Sequence, residues 1–176
     1  GAAVLAAKAC LRSGVGLLSC HLPVCGYTIL QTSVPEAMVI ADPHSHYITQ
    51  PELQNSKYSC MGIGPGIGTN TATRKALFNL ILSHNHQPFI LDADALNCLA
   101  MEKKLPDLPA GSLLTPHPKE FERLFGKSEN ELERINQAMA MAHKLNCTIV
   151  LKGHHTFIAT PEGKGYFNST GNAGMA

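Results

Sequence analysis

The segment Gly62-Ile63-Gly64-Pro65-Gly66-Ile67-Gly68-Thr69 is the part of this sequence best suited to bring backbone against a ligand. Small residues leave room for close approach, and a helix that follows offers free N–H groups and a positive dipole end to phosphate. No Gly-Lys-Ser/Thr comes after it, so it is not a Walker A loop. It also misses the dinucleotide fingerprint: Ile67 and Thr69 stand three residues after Gly64 and Gly66, where glycine is required. Four glycines in seven residues still exceed what a tight turn needs. Gly64, Gly66 and Gly68 are therefore read as a binding loop, although the motif does not name the ligand.

Two basic segments join it. In Thr115-Pro116-His117-Pro118-Lys119-Glu120-Phe121 the prolines suit a helix first turn, and His117 stands where a strand hands over to that helix. There it can donate to a phosphate or a sugar, or it can simply cap the helix; ligand contact is favoured for His117, and Glu120 is open between the two roles. In Lys152-Gly153-His154-His155-Thr156 the lysine ends the most apolar run of the chain. A lysine there meets phosphate as a point charge, and Gly153 lets the chain turn tightly over a nucleotide. Adjacent residues rarely chelate one ion, so His154 and His155 are read as surface rather than metal ligands.

Asp92 and Asp94 also close a strand. Paired carboxylates can hold Mg²⁺ or serve as acid and base, whereas an Asp in this position more often caps the next helix, the role favoured for Asp94. The pairs His44/His46 and His84/His86 lack carboxylate or thiol partners at metal spacing and are expected in solvated loops. No resident metal site is expected.

The elements that must carry these groups follow from apolar periodicity. Val4, Ala7 and Leu11 mark a helix ending near Gly14; strands are predicted over 15–22, 37–41, 58–63, 88–91, 112–114 and 147–151. Helices are predicted over 26–34, after the glycine loop with Ala72, Ala76, Leu77, Leu80 and Ile81 inward, from Ala95, and after Pro116. A further helix, with a Ser128/Glu131 capping box, turns Leu132, Ile135, Met139, Ala142 and Leu145 inward. A hairpin is expected over 156–160 and 164–167. Apolar strands alternating with amphipathic helices give an α/β fold with a mainly parallel sheet, whose ligands sit at the carboxyl ends of the strands. Nearly every segment singled out above lies at such an end.

At 176 residues the chain fits one domain with a real core. A formal net charge of +1 without a basic run gives no reason to expect nucleic acid or an anionic membrane as partner. The six cysteines include no C-x-x-C pair, which suits a reduced, cytoplasmic protein better than a disulfide scaffold. The chain opens without Met inside a helix pattern and stops within a Gly-rich segment, so a domain incomplete at both ends is expected.

Taken in order, these segments resemble one family. They are Gly1-Ala2-Ala3 with Leu11-Arg12-Ser13-Gly14-Val15-Gly16, Gly62 to Gly68, Leu91-Asp92-Ala93-Asp94-Ala95-Leu96-Asn97, Leu114 to Phe121, Val150-Leu151-Lys152-Gly153 and Thr170-Gly171-Asn172-Ala173-Gly174-Met175-Ala176. The sequence is similar throughout to the carbohydrate-kinase-like C-terminal domain of the YjeF-type proteins. The resemblance implies a ribokinase-like three-layer α/β/α sandwich and ADP- or ATP-dependent dehydration of NADHX or NADPHX, with Mg²⁺ assisting. It further implies hydrate contacts at Ala2, Gly64, Gly66, Gly68 and His117, and nucleotide contacts at Lys152, Gly153, His154, His155, Thr156 and Asn172. A homo-oligomer and a fused N-terminal epimerase domain are implied as well. The family's Gly-Gly-Thr-Gly-Asp-type segment, with its expected catalytic Asp, would lie beyond Ala176, and Ala173 replaces the usual Pro; the chain alone is expected to be inactive. The competing readings are a vitamin or sugar kinase of the same fold and a non-catalytic nucleotide-binding module.

Overall fold

The computed structural model describes residues 1–51, 58–84, 86–103 and 105–170. Helix α1 (Ala2–Arg12) buries Ala7 and packs Val4 and Leu11 against a small cluster around Leu30, Val34 and Ala37. Strand β1 (Ser19–Pro23) leads through a 3₁₀ turn (Val24–Gly26) into α2 (Tyr27–Ser33) and β2 (Met38–Asp42). β1 and β2 pair in parallel, Ser19 opposite Met38, as a two-stranded sheet of their own. The first predicted strand is thus shifted: Val15 and Leu17 are exposed and fall outside it, because pairing begins only at Ser19.

The second sheet carries the candidate site. In chain order come β3 (Met61–Ile63), α3 (Thr71–Ser83), β4 (Phe89–Leu91), α4 (Asp94–Glu102), β5 (Leu113–Leu114), α5 (Pro118–Phe125), α6 (Glu131–Lys144) and β6 (Thr148–Leu151). β3 to β6 lie side by side and parallel; β7 (Thr156–Ala159) and β8 (Gly165–Asn168) extend the sheet antiparallel as the expected hairpin. Sequential parallel strands joined by right-handed crossovers must set their helices against the sheet. The resulting core holds Phe89, Leu91, Leu114, Phe121, Ile149 and the small residues Ala95, Ala138 and Ala142, all at 0% exposure. Alanines at those helix positions let α4 and α6 each pack close against the core. The α/β class and mainly parallel sheet are as the sequence predicts.

Three local expectations are corrected. Ser128 and Glu131 form no capping box: α6 begins at Glu131 itself, Asn130 Oδ1 accepts from the Glu133 N–H at 2.9 Å, and the Ser128 hydroxyl donates to Gln137 instead. Leu132, expected inward, is 68% exposed in the first turn, while Ala138 and Ala142 carry the buried stripe. His84, expected in a solvated loop, is the buried C-cap of α3, its Nδ1 lying 3.0 Å from the Leu80 carbonyl and 2.9 Å from the Ser83 hydroxyl.

Candidate active site

The carboxyl ends of β3, β4, β5 and β6 form one rim, stitched by backbone. The Asp92 N–H donates to Ile63 at 3.0 Å, Thr115 N–H to Leu91 at 3.1 Å, and Lys152 N–H to Pro116 at 2.8 Å. The last bond seats the Lys152 segment beside the His117 segment.

At the β3 end the glycine loop is shaped by conformation and contact. Gly66 sits at φ +75, reachable at little cost only without a Cβ, and it lies next to Ala2: an added Cβ would stand at ordinary contact distance, 3.7 Å, from the alanine methyl. Ala2 at the start of α1 and the loop after β3 are thereby adjacent. Gly68 donates its N–H to Asp94 Oδ2 at 2.9 Å. This corrects the capping role expected of Asp94: it is the first residue of α4, the N-cap is Ala93, and its carboxylate is used on the glycine loop.

At the β5 end His117 is the N-cap of α5. Its Nδ1 accepts from the N–H groups of Lys119 and Glu120, so the ring proton resides on Nε2, which lies 3.2 Å from Glu120 Oε1. Glu120 is buried and its Oε2 accepts from the His117 N–H at 2.9 Å, completing a capping box. Capping therefore accounts for Glu120. The His117 side chain keeps 44% of its surface open towards solvent, so capping and ligand contact are compatible there.

At the β6 end Lys152 Nζ lies 2.6 Å from Asp92 Oδ1. The two belong to strands separated by β5, roughly 10 Å apart at about 4.8 Å per strand, so the lysine stem must reach over the end of β5. Burial pushes the Asp92 carboxyl up, but hydrogen bonds from Lys152 and Thr115 outweigh it and hold the group below its ordinary value. Asp92 is thus neither a free acid nor a helix cap. Sequence reasoning placed both residues at strand ends but did not join them; the pairing depends on strand order, which periodicity does not reveal.

Next to Lys152 opens a cleft of about 270 Å³ lined by the apolar Pro118, Ile135, Leu151, Phe157 and Phe167 and by Glu131, Lys152, Gly153, His154 and His155. The two histidines are exposed and meet edge to face at 4.4 Å. Thr156 opens β7 beside them. Phe167 was not foreseen; it arrives because β8 pairs with β7, Phe157 opposite Phe167. A second hollow of about 370 Å³, between Thr69, Asn97, Met101 and Arg123, adjoins the glycine loop and not the lysine. Asn172 and the segment 171–176 lie outside the described residues.

Ala2, Gly64, Gly66, Gly68, His117 and Lys152 to Thr156 thus share one rim, with the glycine loop and α1 at one end and the cleft at the other. Among the described residues no group of three or more His, Cys, Asp or Glu is placed to hold a metal ion, and no helix is long and apolar enough to cross a membrane.

Comparison with known proteins matches residues 1–176 to the family model described as NAD(P)H-hydrate dehydratase. The ADP-dependent (S)-NAD(P)H-hydrate dehydratase of Neisseria meningitidis is 33% identical over the whole chain, which spans 59% of that protein. The bifunctional NAD(P)H-hydrate repair enzyme of Moorella thermoacetica is 36% identical, again over the whole chain, which spans 35% of it. Among solved structures, the Bacillus subtilis ADP/ATP-dependent NAD(P)H-hydrate dehydratase co-crystallised with ATP and Mg²⁺ superposes with TM-score 0.80 at 33% identity, over 98% of this chain and 60% of that one. A ribokinase-like superfamily protein of Enterococcus faecalis gives TM-score 0.80 at 26% identity, over 99% of this chain and 60% of its own. The ribokinase-like fold expected from the sequence is the fold observed.

Proposed function

Because the chain belongs to the NAD(P)H-hydrate dehydratase family, we propose that its protein uses ADP or ATP to dehydrate NADHX or NADPHX, restoring NADH or NADPH. Hydroxide leaves the hydrated, tetrahydropyridine ring poorly; once the ring hydroxyl has taken the nucleotide's terminal phosphoryl group it leaves as phosphate, driven out by the ring nitrogen's lone pair, and loss of a proton from the adjacent ring carbon restores the dihydropyridine. A phosphoryl donor is therefore needed beside the hydrate, and the rim offers adjoining places for both. The single observation that carries this reading is the shared rim itself, with Lys152 lining a largely apolar cleft and Ala2 beside Gly66 at the other end.

In this reading the cleft takes the adenosine, its apolar walls enclosing the base while Lys152 faces the phosphates as a point charge. Gly153, His154, His155 and Thr156 complete the nucleotide side. Ala2, Gly64, Gly66 and Gly68 let the nicotinamide hydrate approach the backbone, and His117 Nε2–H, which also faces Glu120 Oε1 at 3.2 Å, is offered to it as a shared donor. Mg²⁺ comes in on the nucleotide, since it keeps several waters and needs few protein carboxylates.

Calorimetric titration of the chain with ADP, and conversion of NADHX by the whole protein with ADP, test this directly. ADP binding that is weakened but still measurable in Lys152→Met, and recovery of dihydronicotinamide absorbance from NADHX, are expected. ATP-dependent phosphorylation of a vitamin precursor or a sugar with no turnover of NADHX would overturn the reading in favour of a kinase. ADP binding with no turnover of either by the whole protein would leave a nucleotide-binding module.

A further inference from the structure

We propose that Asp92 is a positioning residue for this reaction, aiming the Lys152 ammonium at the nucleotide phosphates. The proposal rests on the nucleotide role given to Lys152 and assigns a task to a carboxylate that the family likeness left open.

The geometry is specific. Lysine has three donor hydrogens; one given to Asp92 Oδ1 at 2.6 Å leaves two for phosphate oxygens. Its four-carbon stem is otherwise free to sample many rotamers, and the contact with Asp92 removes that freedom before a ligand arrives. The two side chains keep 42% and 33% of their surface open. An ion pair so exposed contributes little to stability, so fold maintenance does not explain it.

Asp92 is itself held with unusual firmness. Its N–H donates to Ile63 at 3.0 Å and its carbonyl accepts from Ala95 N–H at 3.0 Å. Gly64 closes on that carbonyl at a distance no side chain tolerates. Immediately after it, Ala93 adopts φ 48, ψ −118, a conformation an alanine takes only when its surroundings impose it. The strained turn separates two carboxylates with different tasks: Asp92 reaches the lysine on the nucleotide side, and Asp94 reaches the Gly68 N–H on the substrate side. A helix cap would need no such strain, and α4 receives no side-chain cap bond here.

The test is ADP affinity by calorimetry for the whole protein as wild type, D92N, D92A, K152M and the double variant D92A/K152M, with thermal melts of each. D92A should weaken ADP binding about tenfold and the isosteric D92N about threefold, since a neutral acceptor keeps only part of a charge-assisted bond. In the K152M background D92A should add nothing, the signature of a residue acting through its neighbour. Melting points should stay close to wild type. Undiminished or tightened binding in D92A and D92N, or the same loss with and without Lys152, overturns the positioning role alone. A folded wild-type protein that binds no ADP overturns the nucleotide reading instead.

Discussion

Gly64 and Asp92 meet backbone to backbone at the rim: a Cβ built on Gly64 would stand 1.7 Å from the Asp92 carbonyl oxygen, and Gly64 sits at φ +138. Neither relief by rotamer nor by a small shift is open, because the obstacle is main chain that also anchors α4. Gly64→Ala should therefore cost at least about 3 kcal/mol, the range of strained-backbone and overpacking changes combined. Gly68→Ala is the control. It has the same handedness, φ +72, but open space around it, and should cost only about 1 kcal/mol. Urea unfolding of the two variants gives the comparison, and equal costs would mean that the close approach to Asp92 is not what fixes the loop.

Ala93 gives the opposite sign. A glycine takes φ 48, ψ −118 without strain. Relief is of order 1–3 kcal/mol, against about 0.4–1 kcal/mol of added unfolded-chain entropy. Ala93→Gly should then stabilise by roughly 1 kcal/mol, a rise of about 2–4 °C in Tm for a chain of this size. A fall in Tm would show that the alanine conformation carries no strain.

How far the sequence foretold this site can be read from particular residues. Gly64, Gly66, His117 and Lys152 were legible because each ends an apolar run, and a parallel sheet collects such ends on one side. The Asp92–Lys152 pair was not, since it depends on β4 and β6 flanking β5, a matter of strand order. Asp94 misled because an acidic residue at a helix start usually caps; here the glycine loop, 26 residues earlier, takes its carboxylate. Ser128 misled in the same way, with Asn130 taking the cap. Phe167 entered the cleft only through hairpin register. Local rules located the rim, and long-range pairing decided which groups touch across it.

His117 separates folding from binding. Its Nδ1 closes two helix N–H groups, so His117→Ala should lose about 1 kcal/mol of stability. His117→Ser or His117→Asn restores a cap acceptor and should return most of that loss. Neither restores an Nε2–H, so all three variants should weaken NADHX binding to a similar degree. Denaturant unfolding and substrate titration, run side by side, give the two readouts. Recovery of substrate affinity in His117→Ser would mean that the histidine serves the helix alone.

Asp42 should contribute to the acid limit of the fold. It ends β2 with its side chain fully buried, 3.6 Å from His21 Nε2, and accepts from Thr49 Oγ1 at 2.6 Å, Thr49 N–H at 2.8 Å, His44 N–H at 2.9 Å and Gln50 N–H at 3.0 Å. Burial pushes its carboxyl up, but these bonds outweigh burial and bring it down from 3.8 to about 2. A carboxylate depressed on folding stabilises the protein above its unfolded value and loses that contribution as pH falls through the folded one. The loss should fall between about pH 4 and pH 2 and amount to roughly 2 kcal/mol. Asp42→Asn keeps the shape but not the charge, leaving four donors with a poorer acceptor. It should be destabilised by a similar amount near neutral pH and show a shallower acid decline. Urea unfolding across that pH range decides the matter, and an unchanged acid limb in Asp42→Asn would show that other carboxylates set it.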